Sequence, residues 1–280
     1  MSTTDGRSAD AGADLVPVLR DASLAHLVVH ADGDALAGAA LLARALVDRG
    51  TPYQVSTVRT GADATRRTDA SDAEAAVVGV GCDPAGADAP LEASHASAAA
   101  YETATALGDR DAADATLALA GVAAAGGRPE RHAPDAAEAA LADRRPGLGA
   151  PTEEPVDGLA HSTLVHGPFS GDAEAAEAEV ADLGLDDDPG RDARRRLASA
   201  VALSAEADGD ALERALRPLA PGGPVATVEG YGDVLDTVAR VDPGTALGIA
   251  LGHDLVDAAL DAWRDAALAV HDAVRTADPA

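Results

Sequence analysis

His26-Leu-Val-Val-His30-Ala-Asp32-Gly-Asp34-Ala-Leu-Ala-Gly38-Ala-Ala-Leu-Leu-Ala-Arg44-Ala-Leu46 is the stretch from which the rest of the chain is read. Leu27, Val28 and Val29 form a short apolar run of the kind a fully buried strand shows, and Ala35 to Arg49 consists almost wholly of helix formers. A strand running straight into a helix puts His30, Asp32 and Asp34 in the turn between them. That turn lies at the carboxyl end of the strand, where open α/β sheets place their ligands. One imidazole and two carboxylates at spacing i, i+2, i+4 can converge on a divalent cation, and oxygen-rich ligation suits Mn²⁺ or Mg²⁺. The turn also has a plainer reading, in which Asp32 caps the helix and Asp34 sits favourably at its positive end.

Outward from this turn, the chain alternates strands with helices. Gly50-Thr-Pro52 is a breaker, Tyr53 to Val58 alternates as a second strand, and Arg59 to Asp72 is polar, a loop with a short helix. Ala75 to Val80 reads as a third strand ending in the turn Gly81-Cys-Asp-Pro84. Ser94 is a candidate N-cap for an alanine-rich helix through Tyr101, and Asp114 to Ala124 is a second such helix. Strands separated by helices predict a parallel sheet. Pro129 to Pro155 is rich in proline, glycine and charge around one helical patch at 134–144, and is read as a linker. Beyond it come helices at 172–181 and 191–205, a strand at Pro224 to Val228, a helix at 231–240, a strand at Thr245 to Leu251, and a last helix at 255–275 that buries Leu260, Trp263 and Leu268. The expected fold class is therefore α/β: residues 15–128 form a parallel-sheet domain, 129–157 a linker and 158–280 a smaller α/β domain.

The 280 residues carry 48 acidic side chains against 21 basic ones, a net charge of -27. No lysine occurs, so every basic side chain is arginine. High net charge often marks disorder, but 47% hydrophobic content with clear periodicity predicts a folded protein. The economical account is adaptation to high salt, where a short Debye length mutes repulsion among solvated carboxylates. In that setting an acidic surface no longer excludes nucleic acid, because the counterion contribution to phosphate binding fades. The informative feature is where the arginines cluster: Arg66-Arg67, Arg144-Arg145, Arg194-Arg195-Arg196, and Arg214 with Arg217.

A single cysteine, Cys82, excludes an internal disulfide and a cysteine-rich zinc site. At 2% aromatics, a base-stacking platform is not expected. Residues 1–14 read as a mobile acidic tail without an apolar core. No apolar run is long enough to span a bilayer, so a cytoplasmic protein with no membrane partner is expected.

His30, Asp32 and Asp34 followed by Ala35-Leu-Ala-Gly38-Ala-Ala resemble the first motif of the DHH phosphoesterases, specifically their archaeal RecJ-like branch. The Ser/Ala-rich stretch ending in Ala100-Tyr101, the Ala118-Leu-Ala-Gly121 stretch, and Glu229-Gly-Tyr231 followed by Gly248-Ile-Ala-Leu-Gly252 extend the resemblance into both halves. It implies a DHH-type N-terminal domain and a DHHA1-like C-terminal one.

The family's later motifs are altered. Where an aspartate ends the third strand in a Val-Asp-x-Gly pattern, this chain has Val78-Gly79-Val80-Gly81. No Asp-His-His triplet occurs, and Asp83 and His95 are the nearby substitutes. A fourth aspartate is replaced by the alanines after Gly121, and no Gly-Gly-Gly-His motif is present. His161 and His166 read as structural, and Ser162 and Ser170 have no nucleophile context. Donors from one loop hold one cation weakly and cannot assemble a bridged metal pair.

The resemblance thus implies a largely depleted metal site. By family precedent, a degenerate RecJ-like subunit accompanies the GINS complex and the replicative helicase. The expected role is a nucleic-acid-associated or scaffold component in DNA replication or repair, with single-stranded nucleic acid and GINS or helicase proteins as partners. The alternative is an active Mn-dependent single-strand exonuclease or phosphoesterase, including the nanoRNase type, using His30, Asp32 and Asp34.

Overall fold

The computed structural model describes residues 15–185, 190–205 and 209–277; the acidic tail read at 1–14 lies outside them. A helix over residues 15–21 (α1) leads into β1 (Ala25–His30), α2 (Gly33–Asp48), β2 (Tyr53–Val58), α3 (Gly61–Asp69), β3 (Ala76–Val80), β4 (Ala89–Leu91), α4 (Ala96–Leu107) and α5 (Ala112–Ala124). There follow α6 (Pro129–His132), α7 (Pro134–Ala139), β5 (Asp143–Arg144), α8 (Pro155–His161), α9 (Ala173–Leu183), α10 (Arg191–Ser204) and α11 (Gly209–Leu216). The described chain closes with β6 (Leu219–Ala220), α12 (Val228–Val241), α13 (Pro243–Ala250) and α14 (Val256–Ala277).

The main sheet has the order β2-β1-β3-β4, and every pairing in it is parallel. Because β1 pairs with β2 on one side and β3 on the other, the connections leave it in opposite directions. The crevice at its carboxyl end is thus a topological switch point, and the His30–Asp34 turn sits there. Strand β1 is buried almost throughout, which is why it reads as a continuous apolar run rather than an alternating one. Helix α2 is buried on nearly every face, between α4, α5 and α12. Small residues permit that approach: a Cβ on Gly121 would lie 2.4 Å from Ser97 Oγ.

Packing runs across the sequence division at 129–157. One apolar cluster joins the sheet and α2, α4 and α5 to Ala133, Ala136 and Ala140 and to Val234, Leu235, Ile249 and Trp263 of α12 to α14. A second, smaller cluster is built by Leu148, Leu159, Phe169, Leu197, Val201 and Leu216, all from helices and loops between β5 and β6. The two-residue strands β5 and β6 pair antiparallel at the base of that excursion.

Several local expectations are corrected. Thr245 to Leu251 is not a strand: Pro243 opens helix α13, and the Asp242 carboxylate caps it by accepting from Thr245 N at 3.2 Å. A short apolar run cannot be told from a buried helix by periodicity. Pro224 to Val228 is not a strand either: residues 224–227 form a turn whose Thr227 Oγ1 caps α12, accepting from Gly230 N at 3.0 Å, and Val228 already opens that helix. Leu268 is 42% exposed, because the buried stripe of α14 runs through Ala259, Trp263, Ala267 and His271. Strand β4 went unread; it is three residues long and holds Pro90 at the sheet edge.

Asp233 fastens the loop after α8 to α12 and α14. Its carboxylate accepts from Thr163 N at 3.0 Å, from the Thr163 hydroxyl, and from Trp263 Nε1 at 3.0 Å. Burial pushes its pKa from 3.8 up to about 6, against the lowering effect of those donors. On the same junction, burial lowers the His271 imidazole from 6.5 to about 4, helped by His166, whose Nδ1 is 3.2 Å from that of His271.

The two groups have opposite linkage. Stability from Asp233 is fully present below pH 3.8 and is lost as pH rises through about 6. That from His271 is fully present above pH 6.5 and is lost as pH falls towards about 4. Asp233→Asn removes the first only. The stability advantage of wild type over this variant should therefore shrink by about 3 kcal/mol between pH 4 and 7, at about 1.4 kcal/mol per pKa unit. Urea melts at a series of pH values check this; a pH-independent difference would refute it.

Candidate functional site

His30 is the last residue of β1, and Asp32 is the N-cap of α2. Asp32 Oδ1 accepts from Ala35 N at 2.8 Å, while Oδ2 lies 2.6 Å from His30 Nδ1. The cap needs extended backbone, and Asp32 has it at φ -134°, ψ 165°. Asp34 turns inward, away from this pair's role. Its Oδ2 accepts from Ala96 N at 2.6 Å, and its Oδ1 accepts from Ser97 N at 2.9 Å and Ser97 Oγ at 2.5 Å.

Asp34 is therefore the N-terminal cap of α4, supplied from across the core. The local candidate Ser94 does not take that place; His95 precedes the helix and makes no side-chain cap. Burial raises the Asp34 carboxyl to about 6, countered in part by the Ser97 and Ala96 donors. Both of its oxygens are committed, and among the described residues no group of three or more His, Cys, Asp or Glu side chains is arranged to hold a metal ion.

A cleft of about 440 Å³ opens beside the turn, lined by Asp32, Asp34, Gly81, Ser94, Ala124 and Ala125, with Asp236 and Arg240 from α12. The slots where the family motifs place further aspartates are filled by other means. Gly79 does not line this cleft: it pairs with Val28 on the sheet face where Cys82 packs, and a Cβ there would lie 2.3 Å from the Cys82 carbonyl oxygen and 2.6 Å from Pro84 Cδ. The alanines after Gly121 present methyl groups to the cleft at positions 124 and 125.

The charge that does enter comes from the second half of the chain. Asp236 Oδ1 accepts from Gly33 N at 3.3 Å, and Asp236 Oδ2 holds Arg240 at 2.8 Å. The Asp236 carboxylate, and more remotely Asp32, raise the pKa of the Arg240 guanidinium. A fixed cation thus faces the carboxylates of the turn.

Neither Asp236 nor Arg240 was singled out from the sequence. Their i, i+4 spacing was a signal for an ion pair, but nothing local showed that Asp236 would reach a residue 203 positions away.

The remaining candidates lie elsewhere. Asp83 is exposed and does not line the cleft. His95 stacks on His132 with ring centroids 4.2 Å apart, and its buried Nδ1 has no hydrogen-bond partner. His161 pairs with Asp157 at 3.0 Å, and His166 with His271. Arg145 and Arg194 share Glu153, at 2.7 and 3.0 Å. Arg144 is bidentate to Glu130 and reaches the buried Glu229 at 2.5 Å.

The fold is similar to that of CDC45 from Entamoeba histolytica, with a TM-score of 0.59 at 9% identity over 95% of this chain and 72% of that one. RecJ from Thermus thermophilus in complex with Mn²⁺ aligns with a TM-score of 0.47 at 18% identity, over 96% of this chain and 38% of that one. The CDC45 likeness defines the class by fold alone: an α/β protein built on a parallel sheet. No protein-family model matches the chain. An uncharacterized protein of Haloarcula marismortui is 48% identical over 272 residues, covering 94% of this chain and 70% of that protein. The chain belongs to the family of that haloarchaeal protein.

Among the described residues, no helix is long and apolar enough to cross a membrane.

Proposed function

We propose that this is a RecJ-like protein whose metal centre has been dismantled, serving as a nucleic-acid-associated or scaffold component in DNA replication or repair of a salt-adapted cell. The observation that carries the reading is the lining of the cleft at the turn, where Gly81, Ala124 and Ala125 bring no donor side chain to Asp32 and Asp34. Three features support it further. Asp34 is spent on the N-terminus of α4, Asp32 on that of α2, and Arg240 adds a guanidinium to the lining of the same cleft. In-line displacement at phosphate with a metal pair needs both ions held by bridging carboxylates, and the residues present do not fit that group. GINS or helicase proteins and single-stranded nucleic acid are the partners this reading names.

A second reading rests on one observation: Asp32 and Asp34 both line an open cleft of about 440 Å³. In it His30, Asp32 and Asp34 support a Mn²⁺- or Mg²⁺-dependent exonuclease or phosphoesterase, including one acting on dinucleotides. One assay separates the two. The protein is incubated in molar KCl with Mn²⁺ and 5′-labelled single strands or dinucleotides, beside a His30→Ala, Asp32→Asn double variant, which spares Asp34 and so spares the fold. The expected result is no cleavage by either protein, together with retention of purified GINS or helicase subunits by the wild type. Cleavage abolished in the double variant overturns the scaffold reading.

A further inference from the structure

Arg128, Arg131, Arg144, Arg214 and Arg217 converge on a cleft of about 230 Å³ where α6, β5 and the end of α11 meet, with Glu130 and Glu213 on its walls. That gathers five of the chain's 21 basic residues in one place, in a protein of net charge -27. Two of the five are struts. Arg128 donates to Asp210 at 2.9 Å and Glu213 at 2.7 Å, and Arg144 is held by Glu130 and Glu229.

The others are not used up in this way. The guanidinium groups of Arg131, Arg214 and Arg217 make no hydrogen bond or ion pair among the described residues, and Arg217 stands near enough to Glu213 to help lower that carboxyl's pKa. Arg214 is half-buried, so part of its hydration is already lost without a carboxylate in exchange. Carboxylates outnumber arginines 48 to 21 in this chain, so a sheltered cation without one is not a matter of short supply.

We propose that this cleft binds a phosphate group, free or within a phosphodiester, with Arg131 and Arg214 as its principal ligands and Arg217 beside them. A single carboxylate satisfies one guanidinium fork, whereas a tetrahedral dianion offers oxygens to several at once. Weak hydration makes guanidinium the cation suited to such a site, and fixed donors matter more than net charge in strong salt, where long-range attraction and counterion release contribute little. The site is separate from the Asp32 cleft: the two share no lining residue. It stands whether or not the Asp32 cleft hydrolyses anything.

The test uses the full chain in molar KCl. Inorganic phosphate binding is measured by titration calorimetry, and binding of fluorescent single-stranded oligothymidylate by anisotropy with phosphate as competitor. Wild type is compared with Arg131→Gln, Arg214→Gln, and with Arg66→Gln, Arg67→Gln as a charge-matched control on α3. Phosphate should bind the wild type and the control alike, and the first variant should lose roughly tenfold or more, as expected for a lost bidentate contact. Neither substituted arginine has a hydrogen-bond or ion-pair partner among the described residues, so its thermal midpoint should match wild type.

Oligonucleotide binding that phosphate displaces, and that falls in the same variant, identifies the ligand as a phosphodiester. Phosphate binding without oligonucleotide binding identifies the free anion. No phosphate binding by the wild type, or equal binding by both double variants, overturns the proposal.

Discussion

Asp34→Ala is expected to destabilise the protein by about 3 to 5 kcal/mol, because it strands buried donors worth about 1 to 3 kcal/mol each. Ala96 N, Ser97 N and Ser97 Oγ would all lose their acceptor at the start of α4, where Asp34 is 8% exposed. Asp34→Asn keeps one carbonyl acceptor but turns a donor amide towards one of the donors, so an intermediate loss is expected. Guanidinium melts in molar KCl measure both. The outcome separates a cap from a ligand. A carboxylate kept chiefly to hold metal stands near Asp32 at a repulsive cost, and its removal would leave stability unchanged or raised. An Asp34→Ala protein as stable as wild type would therefore remove the structural role assigned to this residue, and with it one support for the dismantled-centre reading.

Trp263→Ala should cost a similar amount, about 3 to 5 kcal/mol, through the cavity a large aromatic leaves. Trp263 is fully buried on α14, within the cluster that α12 and α13 share with the sheet. Its Nε1 also donates to Asp233, so the deletion withdraws one donor from a buried carboxylate. Trp263→Phe keeps most of the packing and withdraws only that donor, for an expected loss of about 1 to 2 kcal/mol. Trp263 is the only tryptophan, so circular dichroism replaces fluorescence as the readout for both variants. Equal losses for the two would show that the hydrogen bond, not the ring volume, holds α14 in place.

What was legible in the amino-acid order was the half of the molecule governed by near neighbours. The run Leu27 to Val29, the alternation from Tyr53 to Val58 and the alanine-rich helices follow from side-chain periodicity, and with them the parallel sheet and the strand-end turn where His30, Asp32 and Asp34 lie. Even the plainer role of Asp32, capping its own helix, was available there, because a cap bonds within three residues.

What only the tertiary structure decided depends on groups far apart in the chain. The order of residues could show that Gly79 replaces an aspartate, but not that Cys82 O and Pro84 close the space above it. Asp34 bonds to α4 some 62 positions on, and Asp236 reaches back 203 positions to Gly33. Thr245 to Ala250 became helix because Asp242 and Pro243 start one there and the core accepts its apolar face. Local sequence selects which elements form, since their hydrogen bonds are short-ranged. Which carboxylate remains free for chemistry is settled by the partners that folding brings to it.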